Sequence, residues 1–462
     1  MSYADYIWNV ARSLRADVRP EVTGEAARES LQNCVRVLTA IANALEPKGV
    51  TPPPAAPALA PGLAGPPENP ALYQETDHYI SEACGRIAAG EIGPAALREM
   101  VSWEHGLIEA AVNRMNAAEA AEGLAEPDPR LRIDQARLQE YLRRAADEPA
   151  LMVGAMSNAI GGRSRQTVLF SVSGAPSLPA RLVIQRGLPG MAKGDAFGGV
   201  AVEHAVMKTM HAAGMKVPRP LFLETGDEAL GGPFVIVERL PGRVVEADYW
   251  RARAPRRIIL DLAMQMALLH RQPIGGLAGV LPRARQERGH AAWAAELDRF
   301  TQEWVRKSHG PAMAMTAALH WLRANLDCVT DREALVHNDM VFHNVLAEGD
   351  EITAILDWEQ AAIGHPAEDL GYCYPVVSEL LPWEDFMAAY AAAGGGQISR
   401  REVDFFALRA LVRLTVLVQD GRAAFEAGCT NDIVVTGAGA FFIQRLMLRL
   451  SRVVNDVLTR SV

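Results

Sequence analysis

The sequence predicts an α+β protein of two lobes, a small β-rich lobe over 149–240 and a large helical lobe over 241–462, preceded by an all-helical region over 1–128. Three observations carry this. Strand-like apolar runs broken by turn residues crowd into the middle of the chain, helical periodicity dominates before and after them, and one tight β-hairpin interrupts the later helical part.

In the first region Leu31, Cys34, Val35, Leu38, Ile41, Ala42 and Leu45 recur with helical period, and a second helical pattern runs from Tyr73 to about Ala121. Thr51 to Pro70 lies between them, too rich in Pro for regular helix and therefore expected as a linker. Glu126-Pro-Asp-Pro129 makes a further break before a helix around Leu131 to Ala146. Residues 1–128 contain no metal cluster, nucleophile motif or nucleotide loop. They are expected to form a separate helical accessory domain, suited to homo-oligomerisation.

The β-rich lobe opens with Ala159-Ile-Gly-Gly-Arg-Ser-Arg-Gln-Thr167. Gly161 and Gly162 permit a tight turn whose backbone N–H groups can approach phosphate oxygens, and Ser164 adds a hydroxyl. Val168 to Val172 and Arg181 to Arg186 read as a hairpin, followed by a helix from Val200 to Ala213 that carries Glu203. Leu221 to Glu224 and Phe234 to Glu238 complete the strands, each preceded by Pro or Gly, and Pro241-Gly242 closes the lobe.

The helical lobe contains the most informative stretch, Leu335-Val-His-Asn-Asp-Met-Val-Phe-His-Asn-Val-Leu346. His337, Asp339 and Asn344 fit H-x-D-x-x-x-x-N, a catalytic loop in which the Asp takes the proton of an attacking hydroxyl and the Asn holds Mg²⁺. Val345 to Ala347 and Ile352 to Leu356 flank the polar turn Glu348-Gly349-Asp350, so antiparallel pairing should bring Asn344 opposite Leu356 or Asp357. Asn344 and Asp357 are then candidate ligands of one hard cation. Gly364-His-Pro-Ala-Glu-Asp-Leu-Gly-Tyr372 follows as a turn and helix start.

With these motifs the sequence resembles the aminoglycoside phosphotransferase and choline kinase-like superfamily, whose fold is protein-kinase-like. More narrowly, it resembles the phosphotransferases associated with acyl-CoA dehydrogenases. The resemblance covers the middle of the chain and leaves out residues 1–128. It implies that Asp369 braces the catalytic loop beside His337, and that Glu238 to Leu240 form the hinge against adenine. It also implies a strand cation, paired with Glu203, that holds the α- and β-phosphates. The chain has no Lys at that place: Gln185 aligns with it, and Arg186 is assigned the role, with Arg181, Arg163 and Arg165 as the other basic residues to examine. Asn338 stands where the family usually has Gly, and Met340 where it often has Tyr or Trp.

The expected activity is therefore transfer of a phosphoryl group from ATP, with Mg²⁺, to a hydroxyl of a small molecule. A hydroxyacyl-CoA or related catabolic intermediate is the acceptor that the narrower resemblance implies. An aminoglycoside-type antibiotic, an amino alcohol, or a regulatory pseudokinase that binds nucleotide without turnover are the alternatives. The net charge of −9 argues against nonspecific nucleic-acid binding. No apolar run reaches the length of a membrane span, and acidic Asp5 with Arg12 and Arg15 does not suit an export signal, so a cytoplasmic location is expected. The five cysteines are scattered, which suits reduced thiols rather than a zinc site.

Overall fold

A computed structural model describes residues 73–119, 133–158, 165–187, 199–226, 229–246, 253–277, 289–308, 310–420 and 433–460, with a few isolated positions besides. Gly161, Gly162, Ser164, Arg163 and the expected linker at 51–70 lie outside the described residues. In chain order the elements are α1 (Tyr73–Ala88), α2 (Pro94–Glu119), α3 (Gln135–Ala146), β1 (Met152–Asn158), β2 (Arg165–Ser173), β3 (Arg181–Gly187), α4 (Val200–Ala212), β4 (Pro220–Glu224), β5 (Phe234–Glu238) and β6 (Arg243–Val244). They continue with α5 (Arg256–His270), α6 (Gly289–Lys307), α7 (Met313–Ala324), β7 (Ala334–Val336), β8 (Val345–Glu348), β9 (Glu351–Ile355), β10 (Ala362–Gly364), α8 (Ala367–Val377), α9 (Trp383–Ala392), α10 (Arg400–Leu417) and α11 (Ile433–Arg460).

The chain forms two compact units, one of residues 127–286 and 331–399, the other of 1–126, 287–330 and 400–462. The first holds an antiparallel five-stranded sheet in the order β1-β2-β3-β5-β4. Asp134 starts α3 by accepting the Arg137 backbone N–H at 2.9 Å. Leu138, Tyr141 and Leu142 fall on one stripe of that helix and pack on the sheet face formed by Val168, Phe170, Leu182, Ile184, Phe234 and Ile236. Below the sheet, β6, β8 and β9 form a three-stranded sheet, and β7 pairs with β10. Gly364 is required in β10, since a Cβ there would come within 2.6 Å of Glu368 Oε1 and 2.8 Å of Val336 Cγ2.

The second unit is helical throughout its described residues: α1 packs on α7, and α2 packs on α7 and α11. Ala83 and Ile87 of α1, Met100 and Val101 of α2, and Leu446, Leu450 and Val453 of α11 are buried in it. Glu104, itself buried, accepts the backbone N–H of Met313 at 2.7 Å and of Ala314 at 2.6 Å, supplying the cap that α7 lacks locally. This differs from the division expected from the sequence. The helices of 73–119 form no separate domain but share a unit with α6, α7, α10 and α11, four helices of the expected C-lobe. Their apolar stripes reveal that a face is buried, and the partner that buries it is a matter of tertiary packing.

Candidate active site

The catalytic loop lies between β7 and β8, inside the first unit. Asn338 has φ 64°, the left-handed region that suits Gly or Asn, which explains why Asn can stand in place of the family's glycine. Asp369, fully buried near the start of α8, accepts the backbone N–H of His337 at 2.9 Å and of Asn338 at 2.6 Å, so one carboxylate fixes both peptide units. The bracing role implied for Asp369 thus has a geometric basis. The clamp extends further than the sequence suggested: His270 Nε2–H donates to Asp369 at 3.0 Å, and Tyr390 O–H is 2.8 Å from His270 Nδ1.

His337 is buried against the Trp358 ring, its centroid 4.5 Å away. Burial lowers its pKa and keeps it neutral, against the opposing pull of Asp369 and Asp339. The Nε2 side faces Leu356 O at 2.9 Å and Nδ1 accepts the Asp339 N–H at 3.3 Å, which selects the Nε2–H tautomer. His337 therefore ties its loop to Leu356, the residue that follows β9.

Asp339 is nearly buried, and Tyr372 O–H donates to its Oδ1. His343 Nε2 lies 3.3 Å from the same oxygen, and Gln360 Nε2 reaches Oδ2 at 3.5 Å. Burial by itself would raise this carboxyl's pKa, but His343, Tyr372 and His337 together outweigh it and the net shift is downward. The group is held as an anion. Tyr372 and His343 as its holders escaped the sequence reasoning, although both lie within quoted motifs.

The hairpin forms as expected, with Val345 opposite Ile355 and the Leu356 N–H donating to Asn344 O at 2.8 Å. Asn344 therefore stands beside Leu356, one residue from Asp357. Its Nδ2 donates to Asp339 O at 2.9 Å, which leaves Oδ1 as the acceptor end. Asp357 has φ 63°, and burial first, then Glu359 and Asp339, push its carboxyl up to about 7. A carboxylate disfavoured by neighbouring negative charge is one that a divalent cation would restore. Among the described residues no three His, Cys, Asp or Glu side chains are arranged to hold a metal by themselves. The donor pair Asn344 and Asp357 therefore suits an ion completed by phosphate oxygens and water, the habit of Mg²⁺.

On the sheet side the structure changes one assignment. Glu203 of α4 is buried, and its ion-pair partner is Arg165 at the start of β2. Arg165 Nε also lies 3.3 Å from Glu359 Oε2. Arg186, assigned that place from the sequence, instead donates to Gln166 Oε1 at 2.6 Å and to Leu230 O. Strand alternation is the reason. Gln166 and Arg186 are register partners in line with Val168, Ile184, Phe170 and Leu182 on the face under α3, whereas Arg165 points to the other face. Glu238 ends β5 with its N–H donating to Arg219 O at 3.0 Å and its carboxylate 3.4 Å from Arg219 Nε. Its side chain is thus committed to a local pair, and any hinge role belongs to the backbone.

A family model described as "Phosphotransferase enzyme family" matches residues 158–406. The chain belongs to that family. The chain is 28% identical over 259 residues to acyl-CoA dehydrogenase family member 11 of Gallus gallus, covering 54% of this chain and 32% of that one. The Homo sapiens protein of the same description is 26% identical over 263 residues, with the same coverage of 54% and 32%. The match thus spans about a third of the length of these relatives. A solved Ralstonia eutropha structure assigned to the aminoglycoside phosphotransferases superposes with a TM-score of 0.51 at 19% identity, covering 70% of this chain and 99% of that one. The α+β, protein-kinase-like fold expected of the chain is borne out, as is its likeness to the group associated with acyl-CoA dehydrogenases. No helix among the described residues is long and apolar enough to cross a membrane.

Proposed function

We propose that this phosphotransferase moves the γ-phosphoryl group of ATP to a hydroxyl of a small molecule, a hydroxyacyl-CoA or a related hydroxylated catabolic intermediate. The observation that carries the reading is Asp339, an anion fixed by Tyr372 and His343 beside the Asn344–Asp357 donor pair. The acceptor class rests on the likeness to acyl-CoA dehydrogenase family member 11.

Asp339 Oδ2 takes the proton of the acceptor hydroxyl and orients the oxygen for in-line attack. The Asp369 clamp on two successive peptides keeps that carboxylate in place, and His337 holds the loop at a fixed distance from Asp357. Asn344 and Asp357 would hold Mg²⁺, which when bound neutralises charge on the phosphates. Catalysis of this kind is mostly positioning and charge neutralisation.

The test is to incubate the full chain with ATP and Mg²⁺ against hydroxylated acyl-CoAs, aminoglycosides and amino alcohols, and to detect phosphorylated product by mass spectrometry. Phosphorylation of a hydroxyacyl-CoA is expected. Transfer to an aminoglycoside or amino alcohol alone would overturn the acceptor class, and nucleotide binding without transfer to any acceptor would favour a regulatory module.

A further inference from the structure

Arg165 was offered by the sequence only as a further candidate after Arg186. It is 6% exposed, and it meets two buried carboxylates from separate parts of the unit, Glu203 of α4 and Glu359 of the Asp357-Trp358-Glu359 turn. Nη1 faces Glu203 and Nε faces Glu359, while Nη2 is buried with no hydrogen-bond partner among the described residues, so a donor remains for a further acceptor. A charge buried between carboxylates would ordinarily be expected to fill its donors.

We propose that Arg165 is the phosphate-binding cation of the nucleotide site, supplied from β2 rather than β3 and held at the metal-binding turn by Glu203 and Glu359. The proposal rests on the phosphotransfer reading and names a residue of that same site. Three observations support it. Arg165 lies two residues from Thr167, whose register partner Gln185 stands where a β3 cation would be, so the two strands bring Arg165 to the same face. Its own register partner is Gly187, which has no side chain to compete for that space. Its Nε also lies 3.3 Å from Glu359 Oε2, two residues beyond the candidate metal ligand Asp357, so the guanidinium sits against the turn that would carry the metal.

The residue type follows from the geometry. A guanidinium is a planar fork with five donors, able to pair with two carboxylates and still present N–H groups to a phosphate, whereas an ammonium is a point charge. A cation that must span α4 and the Asp357 turn from the start of β2 needs that breadth. Arg186 lacks access, being committed to Gln166 and Leu230 on the opposite face.

The test is titration of the full chain with Mg·ADP and, separately, with adenosine. In Arg165→Met the affinity for ADP should fall tenfold or more with adenosine affinity unchanged, and Arg165→Lys should recover part of the loss. Arg186→Met should keep both affinities within about twofold of the parent. If Arg165→Met leaves Glu203 unpaired and the protein unfolds, Arg165→Met/Glu203→Met removes the orphaned carboxylate and should show the same selective loss of ADP binding. Unchanged ADP affinity in a folded variant, or equal loss of ADP and adenosine, overturns the proposal and leaves the phosphotransfer reading standing. A parent chain that binds neither ligand overturns both.

Discussion

The two units treat buried charge in opposite ways. In the helical unit, Glu104 receives two backbone N–H groups at the start of α7, and Arg409 meets Glu296 through two nitrogens at 2.6 and 2.8 Å. Both carboxylates are met by donors from their own unit. In the unit with the sheet, Asp339, Asp357, Glu203 and Glu359 cluster around Arg165 and His343, and burial together with the surplus of negative charge pushes Asp357 up to about 7. Self-compensated charge builds a fold, whereas uncompensated charge marks where something else binds.

The largest test of this contrast removes the helices that the charge pattern makes structural. A chain starting near Arg130 loses α1 and α2, exposing apolar surface of α7 and α11 and stripping the Glu104 cap. It is expected to be insoluble or to lose cooperative unfolding, checked by sedimentation and thermal melting. A soluble, cooperatively folded product would mean that the helical unit does not need them.

Next in size is Asp339→Asn, which should lower turnover by about 10²–10⁴-fold while Mg·ATP affinity stays near the parent's. Full turnover in the folded variant would remove Asp339 as the base. Asp357→Ala should abolish the Mg²⁺ dependence of ADP binding while raising the melting temperature of the metal-free protein, since it deletes one of the crowded carboxylates. Added Mg·ADP should stabilise the parent far more than this variant, and equal stabilisation would exclude Asp357 from the metal site. Tyr372→Phe, which takes one donor from Asp339, should cost about tenfold in turnover with little change in nucleotide affinity.

The smallest effect concerns Glu104, whose carboxyl burial lifts from 4.5 to about 7 in spite of its two N–H donors. With the folded pKa raised, its contribution is fully present below about 4.5 and is lost as pH climbs through about 7. Relative to Glu104→Gln, the parent should therefore lose on the order of 1–3 kcal/mol across that window, read by urea unfolding at successive pH values. A pH-independent difference between the two would show that Glu104 does not titrate there.

The sequence carried the catalytic loop and the hairpin almost completely, because fixed spacing and a short polar turn are local properties. His337, Asp339, Asn344, Asp357 and Asp369 could be found that way, and the structure brings them together. The strand cation was harder. A search guided by β3 led to Arg186, yet alternation along β2 alone separates Arg165 from Gln166, and the pairing of Gln166 with Arg186 on the core side would have ruled Arg186 out. His270 and Tyr390 could not be found in this way, since their tie to Asp369 spans distant segments and neither sits in a motif. The grouping of α1 and α2 with the last helices was equally illegible, as an amphipathic stripe does not name its partner.

That grouping also sets an order of events during synthesis. Helix α2 leaves the ribosome well before α11, against which it packs, and α11 is made only after all of the unit that carries the site. At roughly 5–20 residues per second the delay is tens of seconds, long compared with the collapse of a finished domain. Through that interval α2, whose Met100 and Val101 are buried in the finished unit, lacks the α11 surface it packs against, and the wait ends when α11 emerges.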